Sequence, residues 1–143
     1  MGCSAKEPPQ EQIAFTTLLS VNTGPKDHQN NWLSYKASTM EEMQNLWAYF
    51  QVQDDLPTVD FAINDVYFFK YVEAGCQLDI TTITQSNKVM QINLDYKQEK
   101  NEPLDCFAVE KVRTSVILLE KTATTKVTFN NQAYTSTVAI KTW

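Results

Sequence analysis

At 143 residues with 43% hydrophobic side chains, the chain has the length of one domain and enough apolar material for a sizeable core. The formal net charge is −5, the acids are spread along the chain, and no run of lysine or arginine forms the basic footprint of a nucleic-acid surface. Apolar runs such as Val116-Ile117-Leu118-Leu119 are too short to cross a bilayer, and none of the three glycines belongs to a P-loop or a dinucleotide fingerprint.

Residues 1–11 read as a tether. Met1-Gly2-Cys3-Ser4-Ala5-Lys6 runs into Glu7-Pro8-Pro9-Gln10-Glu11, a polar stretch with nothing to bury. Gly2-Cys3 resembles the end of the lipobox of bacterial lipoproteins, where a small residue precedes the cysteine that becomes the lipidated N-terminus. The resemblance implies that a signal peptide has been removed and that Cys3 carries the lipid. It places the domain outside the cytoplasm, at the cell surface or in the periplasm, with the anchor as its sole membrane contact. Met-Gly-Cys also opens proteins acylated on the glycine and the cysteine, but that signal asks for serine or threonine where Lys6 stands. An unmodified thiol at a chain end is the third reading.

Residues 12–143 read as one globular, β-rich domain. Ile13 to Val21 is rich in β-formers and predicts a first strand, closed by turn chemistry at Asn22-Thr23-Gly24-Pro25. Trp32 to Tyr35 predicts a short second strand. A helix is expected over about residues 39–51. Ser38-Thr39-Met40-Glu41 has the form of a capping box, and Met40, Met43, Leu46, Trp47 and Phe50 recur at three- and four-residue steps. Such a stripe is more often the core face of a helix lying on a sheet than the lining of a ligand groove.

After Pro57 the period changes to two. Val59, Phe61 and Ile63 alternate with polar or small residues, and Val66-Tyr67-Phe68-Phe69-Lys70-Tyr71-Val72 is apolar enough for a strand covered on both faces. Gly75 breaks the run. Cys76, Leu78 and Ile80 are expected to share one side, Ser86-Asn87 predicts a hairpin, and Met90, Ile92, Leu94 and Tyr96 alternate along its return strand. A charged loop from Gln98 to Asp105 leads to Cys106, then to one long strand ending at Glu120. Val127 and Phe129 lead through Asn130-Asn131-Gln132 to a last strand holding Tyr134, Val138 and Ile140. Short strands at regular spacing with one helix predict a mainly β fold: an antiparallel β-sandwich or open barrel with a single amphipathic helix.

Between Pro57 and Lys121 the pattern gains a specific likeness. Pro57-x-Val59-Asp60-Phe61 is followed by a β-rich run, a glycine, an I-x-I-like strand, a cysteine strand, and an apolar strand ending in Glu120-Lys121, with a tryptophan-bearing helix just upstream. This resembles the PrcB-type domain of bacterial surface lipoproteins, named for a protein associated with a secreted protease complex. The resemblance implies a non-enzymatic lipoprotein module with a protein partner, a secreted protease being the candidate. Gly75-Cys76-Gln77-Leu78 stands where the family carries a Gly-Gly-Tyr-like segment, a departure at the place that would bear on partner binding. Asp60 is read as a carboxylate satisfying backbone amides ahead of a strand.

Catalytic chemistry finds little purchase. His28 is the only histidine, and no G-x-S-x-G or H-E-x-x-H surrounds it. Cys76 and Cys106 lack metal-knuckle spacing. Glu41-Glu42 belongs to a helix start, where acids are favoured, and Asp54-Asp55 reads as a loop. The expectation is therefore a protein without a cofactor or metal and without enzymatic activity. Two functions remain: a module that binds another protein, or a carrier with an apolar pocket lined by Trp32, Trp47, Phe68, Phe69 and Tyr71. Cys76 and Cys106, 30 positions apart, are expected to form a disulfide in an oxidising compartment, the alternative being two buried free thiols.

Overall fold

The computed structural model describes residues 10–25, 30–96, 110–131 and 135–143. The chain runs β1 (Glu11–Ile13), β2 (Thr16–Val21), β3 (Leu33–Ala37), α1 (Met40–Tyr49), β4 (Asn64–Ala74), β5 (Leu78–Ser86), β6 (Val89–Tyr96), β7 (Glu110–Glu120), β8 (Lys126–Asn130) and β9 (Thr135–Thr142). The strands form one nine-stranded sheet in the order β1-β5-β6-β8-β9-β3-β4-β7-β2. It curls into an open half-barrel, so the mainly β fold with one helix holds.

Two features differ from the expected antiparallel layout. The pairings β6–β8 and β3–β9 are parallel, because each partner returns after a long excursion through other strands rather than by a hairpin. The expected strand from Ile13 to Val21 is interrupted at Ala14-Phe15. Its first part, β1, begins already at Glu11 and pairs with β5 at one end of the sheet; its second, β2, pairs with β7 at the other. Three Cα steps from Ile13 to Thr16 span at most about 11 Å. The two sheet edges therefore approach each other at this corner, which forces the curl and shields two otherwise open edges.

The curl explains why β4 is buried from Asp65 to Glu73. Its odd-numbered side chains Tyr67, Phe69 and Tyr71 point into the barrel and meet Ile83, Ile92, Ile117 and Phe129. Its even-numbered Val66 and Phe68 pack under α1 against Met43, Leu46, Trp47 and Phe50. The amphipathic stripe of α1 is thus core, with Met40 half-buried at its edge. The cap lies one residue later than expected. Thr39, extended at φ −140°, accepts from the Glu42 backbone N–H at 3.1 Å, and Glu42 Oε1 accepts from the Ser38 N–H at 3.2 Å. Thr39-x-x-Glu42 has the same spacing as Ser38-x-x-Glu41, and Met43, Leu46 and Trp47, three and four residues apart, are the buried side chains of the helix.

Residues 59–63 form no strand; residues 61–63 are a turn. Asp60 Oδ1 accepts from the Ala62 N–H at 3.0 Å, and the Asp60 carbonyl accepts from the Asn64 N–H at 3.0 Å. The carboxylate therefore serves one backbone amide and the main-chain carbonyl another just ahead of β4, and this local bonding outcompetes the alternation of Val59, Phe61 and Ile63, the last of which is 55% exposed. Gly75, at φ 77°, ends β4. Cys76 lies in that turn, not on a strand face. A bulge between Ile80 and Thr82 changes the phase of β5, so that Leu78, Ile80 and Ile83 all contribute to the barrel interior. The hairpin turns at Asn87-Lys88, with φ values of 51° and 64°, one residue beyond the expected Ser86-Asn87.

Candidate functional site

The sequence signal for the most distinctive chemistry is the presence of Lys70 and Glu73 in the later half of β4, a strand covered on both faces from Asp65 to Glu73 and mostly apolar between its charges. Charged side chains are almost never fully buried without partners. Glu73 faces the barrel end and is saturated by four donors. Its Oε2 accepts from Arg113 Nε at 2.7 Å and from the Leu78 N–H at 2.9 Å. Its Oε1 accepts from Asn22 Nδ2 at 2.8 Å and from Arg113 Nη2 at 3.2 Å. Arg113 also donates to Ser20 Oγ at 2.9 Å and to Asn22 Oδ1 at 3.1 Å. Burial pushes the Glu73 carboxyl upward, but the bonds from Arg113, Leu78 and Asn22 and the guanidinium charge outweigh it, and its pKa lies below the usual range. Beside this cluster the Tyr71 hydroxyl donates its one proton to the Leu78 carbonyl at 2.7 Å and so accepts from Ser115 Oγ at 2.9 Å.

The cluster does more than plug the barrel. It holds Asn22, the first residue of a loop that is fixed at three successive positions. Asn22 Nδ2 also donates to the Val112 carbonyl at 3.1 Å, Thr114 Oγ1 donates to the Thr23 carbonyl at 2.6 Å, and Gln51 Nε2 donates to the Gly24 carbonyl. Gln51 reaches the loop from a left-handed conformation, φ 59°, just past the end of α1. Lys70 lies beneath, on the helix side of β4. A Cβ at Gly24 would sit 3.2 Å from Lys70 Cε, so the glycine lets the loop rest on the lysine stem. Lys70 is only 4% exposed; its Nζ donates to the Asn30 carbonyl at 2.7 Å, and burial pushes its pKa down. The loop, the α1 end and Lys70 border an open groove of about 680 Å³. A second open groove, about 640 Å³, runs along β1, the β5–β6 hairpin and Lys121-Thr122.

The residues singled out in the sequence are dispersed relative to this groove. Cys3, His28 and Cys106 lie outside the described residues, as do Tyr134 and the loop from Gln98 to Asp105. Cys76 is half-buried and disulfide-bonded. Asp54 and Asp55 are exposed after α1, and the Asp54 backbone carbonyl accepts from Trp47 Nε1 at 2.8 Å. No three metal-ligating side chains cluster among the described residues. The groove residues Asn22, Gln51 and Lys70 were not anticipated, because they join only when β2, β4 and the α1 end converge. Comparisons with family models, with curated proteins and with solved structures gave no match.

Proposed function

We propose that this chain is a bacterial surface lipoprotein whose domain acts as a non-enzymatic protein-interaction module, anchored through lipid on Cys3, with a secreted protease as the candidate partner. The observation that carries the choice between module and carrier is the packing of the aromatic side chains. Trp32, Phe69 and Tyr71 all pack on Phe129, with ring centroids 5.6, 5.8 and 6.1 Å away. Trp47 meets Phe68 edge-on at 6.2 Å. The side chains that would line an apolar pocket are spent on one another, which favours recognition at the surface. The Gly2-Cys3 pair and the PrcB-like Pro57-x-Val59-Asp60-Phe61 segment support the location and the class of partner.

The Cys76–Cys106 disulfide belongs to the same reading. We propose Cys106 as the partner of Cys76, a pairing supported by the disulfide-bonded state of Cys76 and by the reading of Cys3 as the lipidated residue. Closing a loop of this length contributes about 3–4 kcal/mol in the chain-entropy model. Native protein is expected in the membrane fraction with a lipid adduct on Cys3, and crosslinking there should capture a defined protease complex. Soluble protein with an unmodified Cys3 refutes the anchoring. Saturable binding of an apolar fluorescent probe by the purified domain would instead favour the carrier.

A further inference from the structure

We propose that the groove over Lys70 is a binding site for a carboxylate group. Lys70 supplies the charge: it is 4% exposed, and its ammonium gives one N–H to the Asn30 carbonyl. An ammonium has three donors. The two ion pairs among the described residues engage Arg113 and Lys121, so Lys70 meets no acidic side chain there. A buried cation without a counter-charge is costly to the folded state, and an anion delivered from outside offsets that cost.

A second donor on the groove wall is independent of the first. Thr23 Oγ1 is buried and has no hydrogen-bond partner among the described residues. Its loop is held in place at Asn22, Thr23 and Gly24 by Glu73, Thr114 and Gln51, and the ammonium is held by the Asn30 carbonyl, so both residues are preorganised rather than loosely placed. One positive charge in a groove lined otherwise by neutral residues, among them Thr23, Asn31, Gln51 and Gln53, matches a monoanion with two acceptor oxygens. A phosphate dianion would remain undercompensated here, and its usual partner, the forked guanidinium of arginine, is committed to Glu73. The groove is open to solvent, so the carboxylate can belong to a small acid or to the C-terminus of a peptide. This inference rests on the groove and not on the membrane reading, and either can fail alone.

The test uses the full chain with isotopically labelled lysine and follows the Lys70 side-chain NMR signal. The probes are N-acetylglycine, its methylamide, a short peptide with a free or an amidated C-terminus, and inorganic phosphate. Saturable shifts are expected with free acids and none with the amides. If the peptide acid binds more tightly than N-acetylglycine, the source is a chain terminus; the reverse order points to a small acid. Read through the backbone amide signals of Thr23 and Gly24 in uniformly nitrogen-labelled protein, Lys70→Met should weaken binding ~10-fold or more, and Thr23→Val, which leaves the charge in place, ~3- to 10-fold. Circular dichroism confirms that both variants fold, and Thr23→Val decides the matter if Lys70→Met does not. No Lys70 response to any acid, equal responses to acid and amide, or phosphate binding as tight as the carboxylate would overturn the proposal.

Discussion

Replacing Glu73 with glutamine tests whether the barrel end depends on a saturated buried charge. The substitution keeps the shape of the side chain but turns one oxygen into an N–H₂ group. That group must face either Arg113 Nε and the Leu78 N–H, or Asn22 Nδ2 and Arg113 Nη2, so two of the four bonds become donor against donor. Arg113 then stays buried, its side chain 7% exposed, without a counter-charge. Hydrogen bonds to a charged group contribute about 1.5–3 kcal/mol each, and removing one partner of a buried ion pair costs about 3–5 kcal/mol. Glu73→Gln should therefore lose about 3–5 kcal/mol in urea unfolding at pH 7. The pH dependence has a fixed sign. The folded-state pKa of Glu73 is depressed, so its stabilisation is complete above the unfolded value of about 4.3 and fades as pH falls through the lower folded value. The gap between native and variant should be constant above about pH 5 and narrow below it. Combining Glu73→Gln with Arg113→Met should restore part of the loss. A Glu73→Gln loss under about 1 kcal/mol, or a gap that does not narrow in acid, would refute the reasoning.

The buried tyrosines should respond in opposite ways in the same unfolding assay. Tyr67 OH is buried with no hydrogen-bond partner among the described residues, so Tyr67→Phe should be neutral or stabilising by up to about 1 kcal/mol, whereas Tyr71→Phe breaks bonds to Leu78 and Ser115 and should cost about 1–2 kcal/mol. Lys88 holds φ 64° in the β5–β6 turn, and Lys88→Gly should stabilise by about 0.5–1 kcal/mol by removing the left-handed penalty, visible as a raised midpoint of thermal unfolding. Thr39→Ala removes the α1 cap and should cost about 1 kcal/mol by the same measure. Because the folded-state pKa of Lys70 is lowered, the unfolded chain binds more protons between that value and the unfolded value of about 10.4; stability should rise with pH across this window, and the rise should vanish in Lys70→Met.

Residue order carried the features set by neighbours along the chain. The strand period of Met90, Ile92 and Leu94, the single apolar helix stripe and the two-sided burial of Val66 to Val72 all follow from side-chain spacing, since period and burial are local consequences of backbone geometry. Small slips at Thr39 and at Asn87-Lys88 arose where adjacent residues satisfy the same capping or turn rule. The alternation at Val59, Phe61 and Ile63 misled because Asp60 offers the backbone a competing set of bonds. Spacing carries no information about which strands pair across long separations. The parallel β3–β9 and β6–β8 pairs and the division of one apolar stretch between opposite ends of the sheet depend on closure of the curl. The same holds for the groove. Lys70 and Glu73 were not singled out along the chain, and Asn22 and Arg113 reach Glu73, and Gln51 the loop over Lys70, only after β2, β7 and the end of α1 have packed, because a buried charge draws its partners from whichever elements the folded core brings beside it.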